Sequence, residues 1–406
     1  MDLLTRAFIV PIELKWRVLL RVLAILSMSL AARPSATRNV VFGLNPALQR
    51  SINLVADLDV GAVNRGATST IGIGGKGQDV FIAARSMEAE LPLVAQLVGS
   101  GAEGDTLMSL LTELAPVEAE TLHRLTVRCS ARLRNAITLL SPKSQEATEV
   151  VEPSGLVSEQ EIAQLKALLL ETPPASGVAV MGSMPPGCPP SLYSDLLPLC
   201  TDERSTVLLD IVSSVVPTMA ALQGRVARVI LKVNIKELCA VVGRPVPPGS
   251  DSARSRSGEL LAAATALASQ LATSCSSSGS SSASTTNAVT SSFVCATDGA
   301  FSAHLLELTS RGTVGKHVTY TLPSLPRPLV NPIGAGDAVA SGTIMAATGK
   351  VRVPGMEDAD SGGMIHAFRW GLACGAASCL GPTNSAFTRG DAEEIFAGIG
   401  VHSVDL

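Results

Sequence analysis

A chain of 406 residues, 46% of them hydrophobic, has ample material for one large buried core or two modest ones. Aromatics make up only 3%, so that core must be built from Ala, Val, Leu and Ile. A net charge of −4, with no block of Lys and Arg beyond the N-terminus, speaks against a nucleic-acid surface. Eight cysteines occur singly, without a C-x-x-C pair or a His cluster, which argues against zinc and for free thiols in a reducing compartment.

Residues 1–38 stand apart from the rest of the chain. Arg6, Lys15, Arg17, Arg21, Arg33 and Arg38 punctuate an apolar run in which only Asp2 and Glu13 are acidic. The stretch 18–30 is short for a membrane span and contains Arg21, while 29–32 resembles a cleavage region. A presequence, either a transit or a signal peptide, is the reading; as a transit peptide it would direct the chain to a plastid or mitochondrion, and the unpaired cysteines favour an organelle or the cytosol over secretion. A wrongly chosen start codon or an amphipathic surface helix is the alternative, with the cytoplasm as destination.

From residue 39 the pattern becomes regular. Residues 40–44 read as a strand closed by Asn45-Pro46, and 51–54 as a second extended segment. Residues 66–73 lead into Gly74-Gly75-Lys76-Gly77, followed by a helix over 80–87, a strand over 93–98 and a helix over 104–114. Between 125 and 152 the helical period disappears, and 133–140 with 147–151 predict a projecting β-hairpin. Alternation then resumes, with helices over 158–170, 190–199 and 235–242 and strands over 177–181, 207–211 and 229–232. Strand and helix in turn imply a mainly parallel sheet covered on both faces. After a helix over 258–273, a Ser-rich tract to about 292 has nothing to bury and reads as a disordered insertion. A strand over 293–296 and an Ala-rich helix over 366–380 complete the reading.

Four stretches carry chemistry. In Asn331-Pro332-Ile333-Gly334-Ala335-Gly336-Asp337, Pro332 disfavours helix before it, and the small residues let a ligand approach the backbone. A helix starting here would aim its free N–H groups at an anion, with Asp337 at the mouth able to take a proton from an attacking hydroxyl. A plain strand-to-helix turn is the bland alternative. The Gly74–Gly77 turn offers Lys76 to a phosphate or merely to solvent. Asn234 and Glu237, three apart after a strand, form a capping pattern and equally a pair of oxygens for the water shell of a Mg²⁺ ion. Arg134 on the hairpin is a solvated edge residue or a phosphate clamp.

Together, Asn45-Pro46-Ala47, Gly74-Gly75-Lys76-Gly77, Arg134-Asn135, Thr148-Glu149, the 182–187 Gly-Ser-Met-Pro-Pro-Gly stretch, Asn234 to Glu237 and Gly334-Ala335-Gly336-Asp337 resemble, in order and spacing, the PfkB (ribokinase-like) carbohydrate kinases. The Asn331–Asp337 and Leu133-Arg134-Asn135 segments are most similar to the 1-phosphofructokinase and tagatose-6-phosphate kinase branch. The resemblance implies a ribokinase-like three-layer α/β/α fold over 39–402, with a mainly parallel central sheet and a small β lid. It implies ATP and Mg²⁺ as cofactors, with a sugar phosphate such as fructose 1-phosphate as acceptor. Asp337 would be the base, and Gly334, Ala335 and Gly336 the anion hole. Gln49, Gly75, Lys76, Asp79 and Arg134 would meet the acceptor. Lys232, Asn234, Gly299 and Gly334 would meet the nucleotide, and Asn234 with Glu237 would hold the metal through water. A homodimer through the lid is the implied partner, with no nucleic acid and no stable membrane insertion. Three positions depart from the family pattern: Gln49 replaces an Asp, Asp79 an Asn, and Leu133 a Thr. A kinase for an unphosphorylated sugar or nucleoside, and a catalytically weakened relative with a binding or regulatory role, are the competing readings. A dinucleotide oxidoreductase is disfavoured, since no Gly-x-Gly-x-x-Gly follows the first strand.

Overall fold

The computed structural model describes residues 38–144, 147–245, 253–277, 289–299, 302–355 and 363–405. The expected presequence, apart from Arg38, and residues 278–288 of the serine tract lie outside the described residues.

The first half of the chain runs β1 (Val40–Phe42), β2 (Ala47–Leu54), β3 (Gly66–Gly74), α1 (Lys76–Ser86), β4 (Leu93–Ser100), α2 (Ala102–Leu114) and α3 (Ala119–His123). It continues with β5 (Thr126–Arg132), β6 (Arg134–Leu140), β7 (Ala147–Val151), α4 (Glu159–Leu170), β8 (Gly177–Met181) and α5 (Leu192–Cys200). The second half holds β9 (Thr206–Asp210), α6 (Val215–Leu222), β10 (Arg228–Asn234), α7 (Ile235–Val241), α8 (Ala253–Ser277) and β11 (Ser291–Thr297). It ends with β12 (Ala303–Leu308), β13 (Val314–Thr321), α9 (Ala335–Ala347), α10 (Gly363–Ser378), α11 (Arg389–Gly398) and β14 (Gly400–Asp405).

Ten strands form one sheet in the order β14-β13-β12-β11-β10-β9-β8-β1-β4-β5. From β11 to β5 every pairing is parallel, and β12, β13 and β14 add an antiparallel edge. Both faces are covered, which is why β8 and β9 are buried at every position. Val178 and Val180 point into a core shared with α4 to α8, while Ala179 and Met181 point into one shared with α1, α9, α10 and α11. The result is the expected three-layer α/β/α arrangement.

The remaining four strands make a separate sheet, β3-β2-β6-β7. Of the 125–152 segment, β6 and β7 pair antiparallel as a hairpin, but β5 lies parallel to β4 at the edge of the large sheet. The hairpin is completed by β2 and β3, with β2 pairing β6 in parallel from Ala47↔Arg134 to Asn53↔Leu140. The small β lid thus draws half its strands from residues 47–74. Helix α1 begins at Lys76, four residues before its apolar run, because its first turn is packed against the β1–β2 connection, where Gln78 Nε2 donates to the Gly43 carbonyl. Helix α8 extends to Ser277, into the tract read as disordered from 273. There Ser276 Oγ bonds back to the Ala272 carbonyl, so the first serines continue the helix. Among the described residues no helix is long and apolar enough to cross a membrane.

Candidate active site

Strands β9 and β10 end side by side at the carboxyl edge of the parallel sheet, with Leu209 in register with Leu231. The next residues, Asp210 and Lys232, are both buried, and Lys232 Nζ lies 2.7 Å from Asp210 Oδ2. The other carboxylate oxygen, Oδ1, takes Lys76 Nζ at 2.6 Å from the start of α1. One carboxylate therefore bridges two ammonium groups. Burial alone would raise the Asp210 pKa, but Lys232 and Lys76 outweigh it and hold the carboxyl below its usual range. Burial likewise works against the Lys76 ammonium, and Asp210, Asp337 and Glu237 overcome it, leaving the pKa above that of a free lysine.

Asp337 sits in the first turn of α9, 8% exposed. The turn that delivers it needs Gly334, whose φ of 81° is a left-handed conformation costly for residues with a Cβ. A neighbouring loop braces this turn from behind. Ser385 Oγ donates to the Gly334 carbonyl at 2.8 Å, and Asn331 Nδ2 reaches Asn384 Oδ1 at 3.0 Å while its Oδ1 accepts from Ile333 N. At Gly336 a Cβ would come within 2.9 Å of Lys232 Nζ, so the missing side chain lets the cation approach the helix start. Ser341 Oγ bonds the Val80 carbonyl at 2.8 Å, which fixes α9 against α1. Burial first, then the charges of Asp210 and Glu237, push Asp337 up to about 7 against the pull of Lys76 and Lys232.

Asn234 caps α7 and forms a full capping box with Glu237: Asn234 Oδ1 accepts from Glu237 N and Glu237 Oε2 from Asn234 N, both at 2.8 Å. Capping, the structural side of the sequence reading, is thus realised. Glu237 Oε1 is not used in the box, and the charge of Glu237 is felt at both Lys76 and Asp337. Among the described residues no group of three His, Cys, Asp or Glu side chains could hold a metal directly. The unused oxygen of Glu237 is the kind of hard ligand that suits a Mg²⁺ ion carried largely on water, whereas both oxygens of Asp210 are taken by Lys76 and Lys232.

On the lid side, Arg134 Nη2 donates to the Asn45 carbonyl at 2.8 Å and Nε to that of Pro46 at 3.4 Å, leaving Nη1. Gln49 Nε2 is 2.6 Å from Thr138 Oγ1. Asp79, on α1, is 5% exposed and lies within the fields of Asp337, Glu149 on β7, and Lys76. Gly75, with φ 111°, joins β3 to α1. Gly299 follows β11, and a Cβ there would meet nothing within 4 Å. The structure thus gathers Lys76, Asp79, Lys232, Glu237 and Asp337 around one point at the sheet edge, with Gln49 and Arg134 on the lid above. Asp210 is absent from the sequence reading, and its only signal is an acid closing the buried strand Val207-Leu208-Leu209. Glu149 belongs to the Thr148-Glu149 stretch noted in the sequence but carries no role there, and the structure brings its charge to Asp79.

No family model matches the sequence. Solved structures do resemble the fold. The phosphofructokinase-2 of Escherichia coli, in complex with fructose-6-phosphate, superposes with a TM-score of 0.60 at 19% identity, covering 89% of this chain and 98% of that one. A possible 1-phosphofructokinase from Thermotoga maritima gives 0.61 at 17% identity, over 90% and 99%. Ribokinase from Thermotoga maritima gives 0.57 at 13%, over 89% and 99%. With its large mainly parallel sheet, two helical layers and four-stranded lid, the chain has the ribokinase-like fold.

Proposed function

We propose that this protein is an ATP-dependent phosphotransferase acting on a hydroxyl of a sugar phosphate, fructose 1-phosphate or a related ketohexose phosphate. The observation that carries the reading is Asp337, a buried carboxylate with a pKa near 7 at the start of a helix, beside two lysines and an uncommitted glutamate oxygen. Phosphoryl transfer asks mainly for alignment and charge neutralisation, plus one group to accept the hydroxyl proton. As the acceptor oxygen forms its bond to the γ-phosphorus and the bond to ADP breaks, Asp337 takes the proton. Lys76 and Lys232 supply positive charge, and the amides of Gly334 and Gly336 line the helix start where the moving phosphoryl group would pass, that of Ala335 being turned to the Pro332 carbonyl. Asn234 and Glu237 would hold Mg²⁺ through water, and the ion would neutralise phosphate charge when bound. The lid excludes water from the transfer.

A second reading, a kinase for an unphosphorylated sugar or nucleoside, is favoured by Lys76. Its ammonium is drawn to Asp210 rather than towards the lid, which leaves Arg134 as the cation for an acceptor phosphate. An ADP-release screen over paired sugars and sugar phosphates separates the two. Turnover of phosphosugars with loss in Arg134→Ala is the expected result, and turnover of free sugars alone would transfer the assignment to the second reading. Turnover of neither would end both and leave a binding role.

The lid face turned away from Gln49 carries Ile71 and Val150, which share one row through Arg50 and Ile137 and are exposed at 47% and 53%, unusual for a sheet surface facing water. This supports a homodimer through the lid. Sedimentation should show a dimer for the wild type and a monomer for Val150→Glu; a monomeric wild type removes the idea.

A further inference from the structure

We propose that Asp79 meets the acceptor as a neutral carboxylic acid, donating a hydrogen bond to an uncharged hydroxyl, ring or carbonyl oxygen, so that any phosphate on the acceptor must lie elsewhere. The inference rests on the reading of this cleft as the acceptor site and narrows what that site selects.

Asp79 Oδ1 is buried and has no hydrogen-bond partner. Three charged groups face the side chain: Asp337 from α9, Glu149 from β7, and Lys76 from its own helix. Two are acids, and the third is held by Asp210 at 2.6 Å. An ionised carboxylate in that setting would be desolvated, unpaired and repelled from two sides. Burial, followed by Asp337 and Glu149, accordingly raises the Asp79 pKa well above the ordinary carboxylate value, with Lys76 opposing. The neutral form changes the chemistry of the position, because a protonated carboxyl carries an O–H donor that a carboxylate lacks.

The neighbouring departure from the family pattern fits this. Gln49 turns its amide nitrogen towards Thr138 and leaves its carbonyl oxygen as an acceptor. An acceptor at Gln49 and a donor at Asp79 reproduce the hydrogen-bonding set of the Asp and Asn they replace, without the charge. Asp337 and Glu149, on either side, disfavour an anionic group of the ligand at this end.

Two measurements on the full chain test the proposal. First, thermal unfolding of wild type and Asp79→Asn is followed from pH 4 to pH 8. A raised folded pKa means the native state keeps a proton that the unfolded chain releases above about 3.9, so wild-type stability falls as pH rises. The variant lacks this loss, and its advantage should grow with pH; a constant difference overturns the proposal whether or not the protein turns over. Second, on the acceptor found by ADP release, Asp79→Ala should raise KM about tenfold, the scale of one lost hydrogen bond, with Asp79→Asn recovering most of that loss. Equal losses in Asn and Ala would mean a working carboxylate and would refute the neutral donor. A pH-dependent advantage together with no turnover on any acceptor would refute the acceptor assignment and the kinase reading with it.

Discussion

Asp337→Asn is expected to lower kcat by about 10²–10⁴-fold, the range contributed by a positioned general base, while nucleotide binding by calorimetry stays near the wild-type level. The amide fills the same space at the start of α9 but takes no proton. Because the folded pKa is raised to about 7, the wild type needs Asp337 deprotonated, and kcat/KM should fall roughly tenfold per unit below that pH. The residual activity of the variant should show no such limb. The same variant should be more stable than wild type at pH 8. In wild type the native state holds a proton between about pH 4 and 7 that the unfolded chain has lost, so stability declines across that window. An Asn variant with the wild-type rate and the same acid limb would remove Asp337 from the chemistry.

The second large effect concerns stability. Asp210→Ala leaves Lys232 buried and Lys76 released, both without their anion. Breaking one side of a buried ionic arrangement costs about 3–5 kcal/mol, and denaturant unfolding should register a loss of that size. In wild type the depressed Asp210 pKa gives stabilisation that is complete above the ordinary carboxylate range and is lost as acid protonates the bridge. The milder Asp210→Asn should also move the acid limb of kcat/KM downward, since Asp210 is the largest charge raising Asp337. A variant unfolding like wild type, with an unmoved limb, would show that the two lysines have other anchors.

The residues differ in how far their local conformation and neighbours could be read from the chain itself. Gly334 to Asp337 were legible because a proline, two glycines and an acid precede a run of small residues, and the conformation of Gly334 makes that pattern necessary. The Asn234–Glu237 box was legible because capping is local. The Asp210 bridge was not: its lysines lie 134 and 22 residues away, and their convergence depends on how the strands are ordered. The antiparallel edge was missed for a related reason. Strand β14 pairs with β13 across some 80 residues of chain, and β13 mixes Lys316 and His317 with its buried positions, which blurs the period. Lys76 was read as free to reach a phosphate because periodicity cannot show that Asp210 stands opposite it. The β lid was assigned to one hairpin because nothing near residues 47–74 announces which sheet they will join.

The join between β3 and α1 is a single residue: only Gly75 separates the last lid strand from the helix that carries both Lys76 and Asp79. With so short a coupling, a tilt of the lid would be delivered as torque to that helix, and through Lys76 to the carboxylate at the end of β9. In the proposed kinase this joint would couple acceptor and nucleotide, and by thermodynamic reciprocity each would then alter the affinity for the other to the same degree.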